Sequence, residues 1–120
     1  MDDQAMKESE NKARWDLLPF EAMRSVVQVY EVGAQKYDDH NWRKGIKFST
    51  YIAAIFRHLI KFVLGEDRDG KSGCHHLAAV VFYCLALITF TAHKTQYKRF
   101  DDRTAYAEKS ENIRECDCNK

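Results

Sequence analysis

Arg57-His58-Leu59-Ile60-Lys61-Phe62-Val63-Leu64-Gly65-Glu66-Asp67-Arg68-Asp69-Gly70-Lys71-Ser72-Gly73-Cys74-His75-His76 reads as the end of one apolar helix, a tight acidic turn and the start of a second helix. Upstream of the turn, Ile52, Ile55, Phe56, Leu59, Ile60 and Val63 recur at helical spacing. A helix is therefore predicted from Ser49 or Thr50, either of which can cap it, to Leu64, with Gly65 as terminator. Downstream, Ser72 is the predicted cap of a helix running to about Ala92. Leu77, Val80, Val81, Phe82, Leu85, Leu87 and Ile88 make it apolar nearly all round, the mark of a helix buried on most sides. So much apolar surface in a 14.0 kDa chain invites burial by a second subunit, and a homo-oligomer is expected.

The turn also gathers chemistry. Glu66, Asp67 and Asp69 lie close to His58 and to His75 and His76, the residue types that hold a hard divalent cation or serve phosphate chemistry. His58 precedes Glu66 by eight residues, roughly 12 Å of helical rise. The two can meet only if the chain folds back after Gly65. The plainer reading is that the acids cap the following helix and that His58 is a half-buried packing residue.

Working outward, Phe20, Met23, Val27, Tyr30 and Ala34 predict a first helix over 19–37, with Pro19 in its first turn. Gly33 within it costs roughly 1 kcal/mol against Ala, a cost consistent with close approach to the backbone. Residues 38–45 break the period and read as a loop. Beyond Lys94 the composition turns polar, and Tyr97, Phe100 and Tyr106 predict a short helix folded back on the bundle. The expected organisation is a flexible segment 1–12, one helical domain 13–106 and a polar tail 107–120. The fold class is all-α: three main helices in a compact bundle plus a short C-terminal one, consistent with one Pro and five Gly in 120 residues.

Composition excludes several function classes. A formal net charge of +1 gives no footprint of a general nucleic-acid polymer or membrane-surface binder. No apolar run approaches the roughly 20 residues of a membrane span, and the acidic start carries no secretory pattern, so a cytoplasmic location is expected. Cys74, Cys84, Cys116 and Cys118 have no framework spacing; they are expected as free thiols, Cys84 as a small core residue. No P-loop, dinucleotide-binding glycine pattern or strand-borne nucleophile is present.

A second constellation is Lys36-Tyr37-Asp38-Asp39-His40-Asn41-Trp42-Arg43-Lys44-Gly45, where cations interleave with aromatic rings that can stack a base. A solvated loop anchored by one Trp is the alternative. Lys12 and Arg14 are further isolated cations near the first helix.

Lys12-Ala13-Arg14-Trp15-Asp16-Leu17-Leu18-Pro19, Gly33-Ala34-Gln35-Lys36-Tyr37 and Asn41-Trp42-Arg43-Lys44-Gly45 are followed in order by Arg57-His58-Leu59, Gly65-Glu66-Asp67-Arg68-Asp69, Ser72-Gly73 and His76-Leu77-Ala78. Together these blocks, over roughly residues 12–90, resemble the N-terminal domain of phage dATP/dGTP diphosphohydrolases. The resemblance implies conversion of dATP or dGTP to the monophosphate and pyrophosphate. It also implies an outline similar to the all-α nucleoside triphosphate pyrophosphohydrolases, which use Mg²⁺ or Mn²⁺. On that reading the metal falls to Glu66, Asp69 and His76, and catalysis to Glu66, Asp69 and His58. The nucleotide falls to Lys36, Tyr37, Asn41, Trp42, Arg43, Lys44, Arg57, Lys61 and His76. A phage origin implies the bacterial host cytosol. The sequence departs from the related enzymes where their Glu-x-x-Asp pair would fall, on His76 and Ala79. That departure keeps an alternative open: an anti-defence sponge that sequesters a cyclic or other nucleotide immune signal without cleaving it.

Overall fold

The computed structural model describes residues 4–8 and 10–103. It is all-helical: α1 Phe20–Lys36, α2 Phe48–Val63, α3 His76–Ala92 and the short α4 Lys94–Tyr97, with no named strand among the described residues. Short 3₁₀ turns at Trp15–Leu17, Asn41–Lys44 and Lys98–Phe100 complete the chain. The three main helices and the C-terminal fold-back stand as expected. Tyr106 and the polar tail lie outside the described residues.

α2 and α3 form an antiparallel pair, and α1 lies against α3. The two ends of this pair are closed differently. At one end, Phe48 from the start of α2, Ala86 and Phe90 from late α3, and Tyr97 from α4 form the buried cluster, with Trp42, Tyr51 and Phe100 packed on it. Phe90 stacks on Phe48 at 5.8 Å between ring centroids and meets Tyr97 at 4.4 Å. At the other end, the turn after α2 folds back through His76 N–H to Asp67 C=O and Asp69 N–H to Cys74 C=O. Gly65 and Gly73 supply the positive φ values this reversal needs.

Both predicted caps are corrected. α2 starts at Phe48, and the group that accepts from the Ser49 N–H is the Asp102 carboxylate, 3.0 Å away and 53 residues on. The C-terminal hook thus supplies the charge that suits a helix N-terminus. α3 starts four residues beyond Ser72, and its cap is His75, whose Nδ1 accepts from the Leu77 N–H. Ser72 turns instead to Asp69. A hydroxyl followed by an apolar run marks a helix start only if the chain is not already committed to another turn; here Asp69 takes it first.

Burial is thinner than the apolar patterns predicted. α1 has no buried residue, and Phe20 and Val27 are exposed. On α2, Phe56, Ile60 and Val63 face out, as do Val81, Leu85 and Ile88 on α3. Cys84 is exposed and Cys74 is the buried thiol, the reverse of the expectation for Cys84. The surface of α3 that reads as core is therefore half core and half open face on a single chain. No single helix among the described residues is long and apolar enough to cross a membrane.

Candidate functional site

α1, the 37–46 loop and the α2–α3 pair enclose a cavity of about 620 Å³. That is within the roughly 300–1,000 Å³ range of small-molecule sites. Its wall is aromatic: Tyr30, Tyr37, Trp42, Tyr51, Phe82 and Tyr83 all contribute. Tyr30 meets Phe82 edge-on at 4.8 Å, and Tyr51 leans on Tyr83 at 4.8 Å. Burial pushes the Tyr51 phenol up to about 12, helped by neighbouring Tyr83, Tyr30 and Tyr37; burial raises Tyr83 and Tyr30 as well. These phenols therefore stay protonated at neutral pH and offer O–H donors.

The loop that carries Trp42 is held from behind by the C-terminal hook. Tyr97 donates its hydroxyl to the Arg43 carbonyl at 2.6 Å. Gly45, at φ +92, lies so close to the Phe100 ring that a Cβ would overlap it. Only glycine fits there, and the chain turns from loop into α2 at that point. Arg43 stacks over Trp42 at 4.5 Å, and Lys36 sits 5.4 Å from the Tyr37 ring centroid.

The turn brings His58 and Asp69 into the cavity wall, with His76 and Glu66 behind them. His76 is fully buried at the first position of α3. Its Nε2 lies 2.8 Å from Glu66 Oε1, and its Nδ1 lies 2.8 Å from His58 Nδ1. The chain does fold back after Gly65, and His76 spans the gap between the histidine and the carboxylate. A carboxylate oxygen only accepts, so His76 Nε2 carries a proton. With both rings neutral, His76 Nδ1 is then an acceptor, and His58 Nδ1 must donate to it. His58 consequently keeps its lone pair on Nε2. Its ring is half-buried on the cavity wall, and burial followed by neighbouring His76 hold its pKa below the usual 6.5. Asp69, also in the wall, accepts from the Ser72 hydroxyl and the Lys71 N–H. Burial opposes its ionisation, but those donors and Lys61 keep its pKa low.

Of the expected site residues, Lys36, Tyr37, Asn41, Trp42, His58 and Asp69 come together on the cavity. Arg43, Lys44, Arg57, Lys61, Glu66 and His76 are not in its lining. Arg57 and Lys61 flank His58 on α2, close enough to disfavour its charged form. Arg14 is engaged by Asp16 in a bidentate pair and does not serve the cavity. Glu66, Asp69 and His76 do not converge on a common point. Both ring nitrogens of His76 are already used, and Asp69 faces Ser72; among the described residues no three His, Cys, Asp or Glu side chains are placed to hold a metal ion. The present arrangement of these three does not fit the cation expected of them.

Tyr51, Tyr83 and Phe82 line the cavity and were not among the residues expected from the sequence. Each falls on an apolar helix face, where an aromatic ring is indistinguishable from core. Acids are also part of the wall: Glu31, Asp38, Asp39 and Asp69 line it together with Lys36.

The family profile described as dATP/dGTP diphosphohydrolase, N-terminal, matches residues 2–103. A dATP/dGTP diphosphohydrolase of Salmonella phage PMBT28 is 32% identical over 73 residues, covering 61% of this chain and 25% of the relative. The chain is thus matched to about a quarter of that relative's length. No solved structure matches it.

Proposed function

This chain belongs to the dATP/dGTP diphosphohydrolase N-terminal family, and from that premise we propose that it binds a purine deoxynucleoside triphosphate and hydrolyses it to the monophosphate and pyrophosphate. The observation that carries the reading is a cavity of nucleotide size with an aromatic wall and with His58 and Asp69 in its lining. A purine offers a flat π-face, and each ring stacked on it contributes about 1–3 kcal/mol. Trp42 and Tyr37 are the rings we assign to it. Lys36 in the lining, with Arg57 and Lys61 near His58, are the cations we assign to the triphosphate.

One observation favours a second reading. Because Glu66, Asp69 and His76 do not converge on a cation, the same cavity also suits a binder that holds a nucleotide, cyclic or linear, without cleaving it.

The two readings separate in one experiment. Purified protein is incubated with each deoxynucleoside triphosphate and with cyclic nucleotides, with and without Mn²⁺, and the small molecules are chromatographed. Hydrolysis predicts monophosphate and pyrophosphate from dATP or dGTP. Depletion of a nucleotide that heating releases intact would establish the binder instead. Nucleotides left free and unchanged throughout would refute both.

A further inference from the structure

We propose that the α2–α3 pair docks on a second copy of this chain through an apolar face that it turns away from the cavity. The inference concerns the outer side of the fold and does not rest on the nucleotide reading. On α2, Phe56, Leu59 and Val63 are exposed; on α3, Val81, Cys84 and Ile88 are. Each trio is spaced i, i+3, i+7, which sets its side chains in one stripe along the helix. That is the a/d spacing of helices that pack on other helices. None of the six lines the cavity. α1 meets α3 through Phe82, which carries the Tyr30 contact and lies about 100° round the helix from Val81. The packing of α1 therefore leaves the stripe open.

The chemistry of the face selects its occupant. α3 carries no Asp, Glu, Lys or Arg from His76 to Ala92. The cations of α2, Arg57 and Lys61, lie near His58, which lines the cavity. A charged partner has nothing to pair with on these stripes, whereas a partner bearing the same two stripes matches them. Antiparallel helices with the same spacing are self-complementary about a twofold axis, the commonest symmetry of homo-oligomers.

The area agrees with a second copy. Phe56 is 58% exposed, Ile88 62% and Val63 74%. With Ile60, Leu64 and Leu85 beside them, the exposed apolar side chains amount to roughly 800 Å², what one partner contributes to a standard interface. The largest apolar patch of a typical monomer is smaller, about 300–600 Å². The single chain also has little core of its own, since α1 contributes no buried residue. Two copies joined here share one helical core, and each keeps its cavity outside the interface.

The test is sedimentation of the full chain at tens of micromolar. Wild type should run at an even multiple of the chain's 14.0 kDa, two copies at the least. The double variant F56E/I88E should halve that mass and keep its helical circular dichroism. Phe20→Glu charges an equally exposed apolar side chain on α1, at 61%, and should leave the mass unchanged. A wild type of 14.0 kDa overturns the proposal. An assembly that F56E/I88E leaves whole overturns it too, as does one that F20E disrupts equally. A readout without substitution guards against a variant that fails to fold. Cys84, exposed on a single chain, should react with a maleimide about tenfold more slowly in the native wild type than in urea, because the partner covers it. Labelling at the urea rate overturns the proposal.

Discussion

The antiparallel α2–α3 pair is closed at its two ends by opposite means. Where α2 begins and α3 ends, Phe48, Ala86, Phe90 and Tyr97 interlock and exclude water. Where α2 ends and α3 begins, His58, His76 and Glu66 are joined by hydrogen bonds of 2.8 Å. An apolar end stabilises in proportion to the area it buries. A polar end gains little net stability, because every bond made replaces one to water. The difference teaches that the apolar end carries more of the stability of the pair than the polar end does. There a buried imidazole is held in a fixed orientation by a hydrogen bond at each ring nitrogen.

The largest effect that can break this contrast comes from the apolar end. Phe90→Ala should cost about 3–5 kcal/mol in urea unfolding, since a fully buried ring is removed from a close-packed cluster. Nucleotide binding, corrected for the folded fraction, should be retained. His76→Ala should cost less, about 1–3 kcal/mol, chiefly by orphaning His58 Nδ1. If the two losses are reversed in size, the polar end is the structural one and the contrast fails. Tyr97→Phe probes the link between the apolar end and the cavity. It removes the hydroxyl bond to the Arg43 carbonyl, costs about 1 kcal/mol and loosens the loop that carries Trp42. Affinity for a purine nucleotide should weaken in the same variant, read by calorimetry.

The smallest effect is in the pH dependence of stability. The unfolded chain takes up a proton at His58 near its ordinary pKa of 6.5, which the folded chain refuses until lower pH. Its contribution is intact above 6.5 and is lost as pH falls through the depressed folded value. Thermal unfolding between pH 7.5 and 5 should show this decline in the wild type and a shallower one in H58Q.

The helices were legible because their periodicity is local: α1, α2 and α3 lie within a few residues of their predicted bounds. The caps were not, because the group capping α2 comes from Asp102 and the one capping α3 is a histidine, a residue outside the usual capping set. At the site, Tyr37, Trp42, His58 and Asp69 were legible from composition and the bend after Gly65. Tyr51 and Tyr83 were hidden on apolar faces, and the role of His76 as a bridge depends on how far the turn folds back. Spacing along a helix gives that distance only while the helix continues.

The most direct measurement is ¹⁵N NMR of histidine-labelled protein at pH 7.5, which reads the protonation of each ring nitrogen. The hydrogen bonds of the polar end predict His58 protonated on Nδ1 and bare on Nε2, with His76 protonated on Nε2 and hydrogen-bonded at both nitrogens. A proton on His58 Nε2 at that pH would contradict the hydrogen bonds that hold this end together.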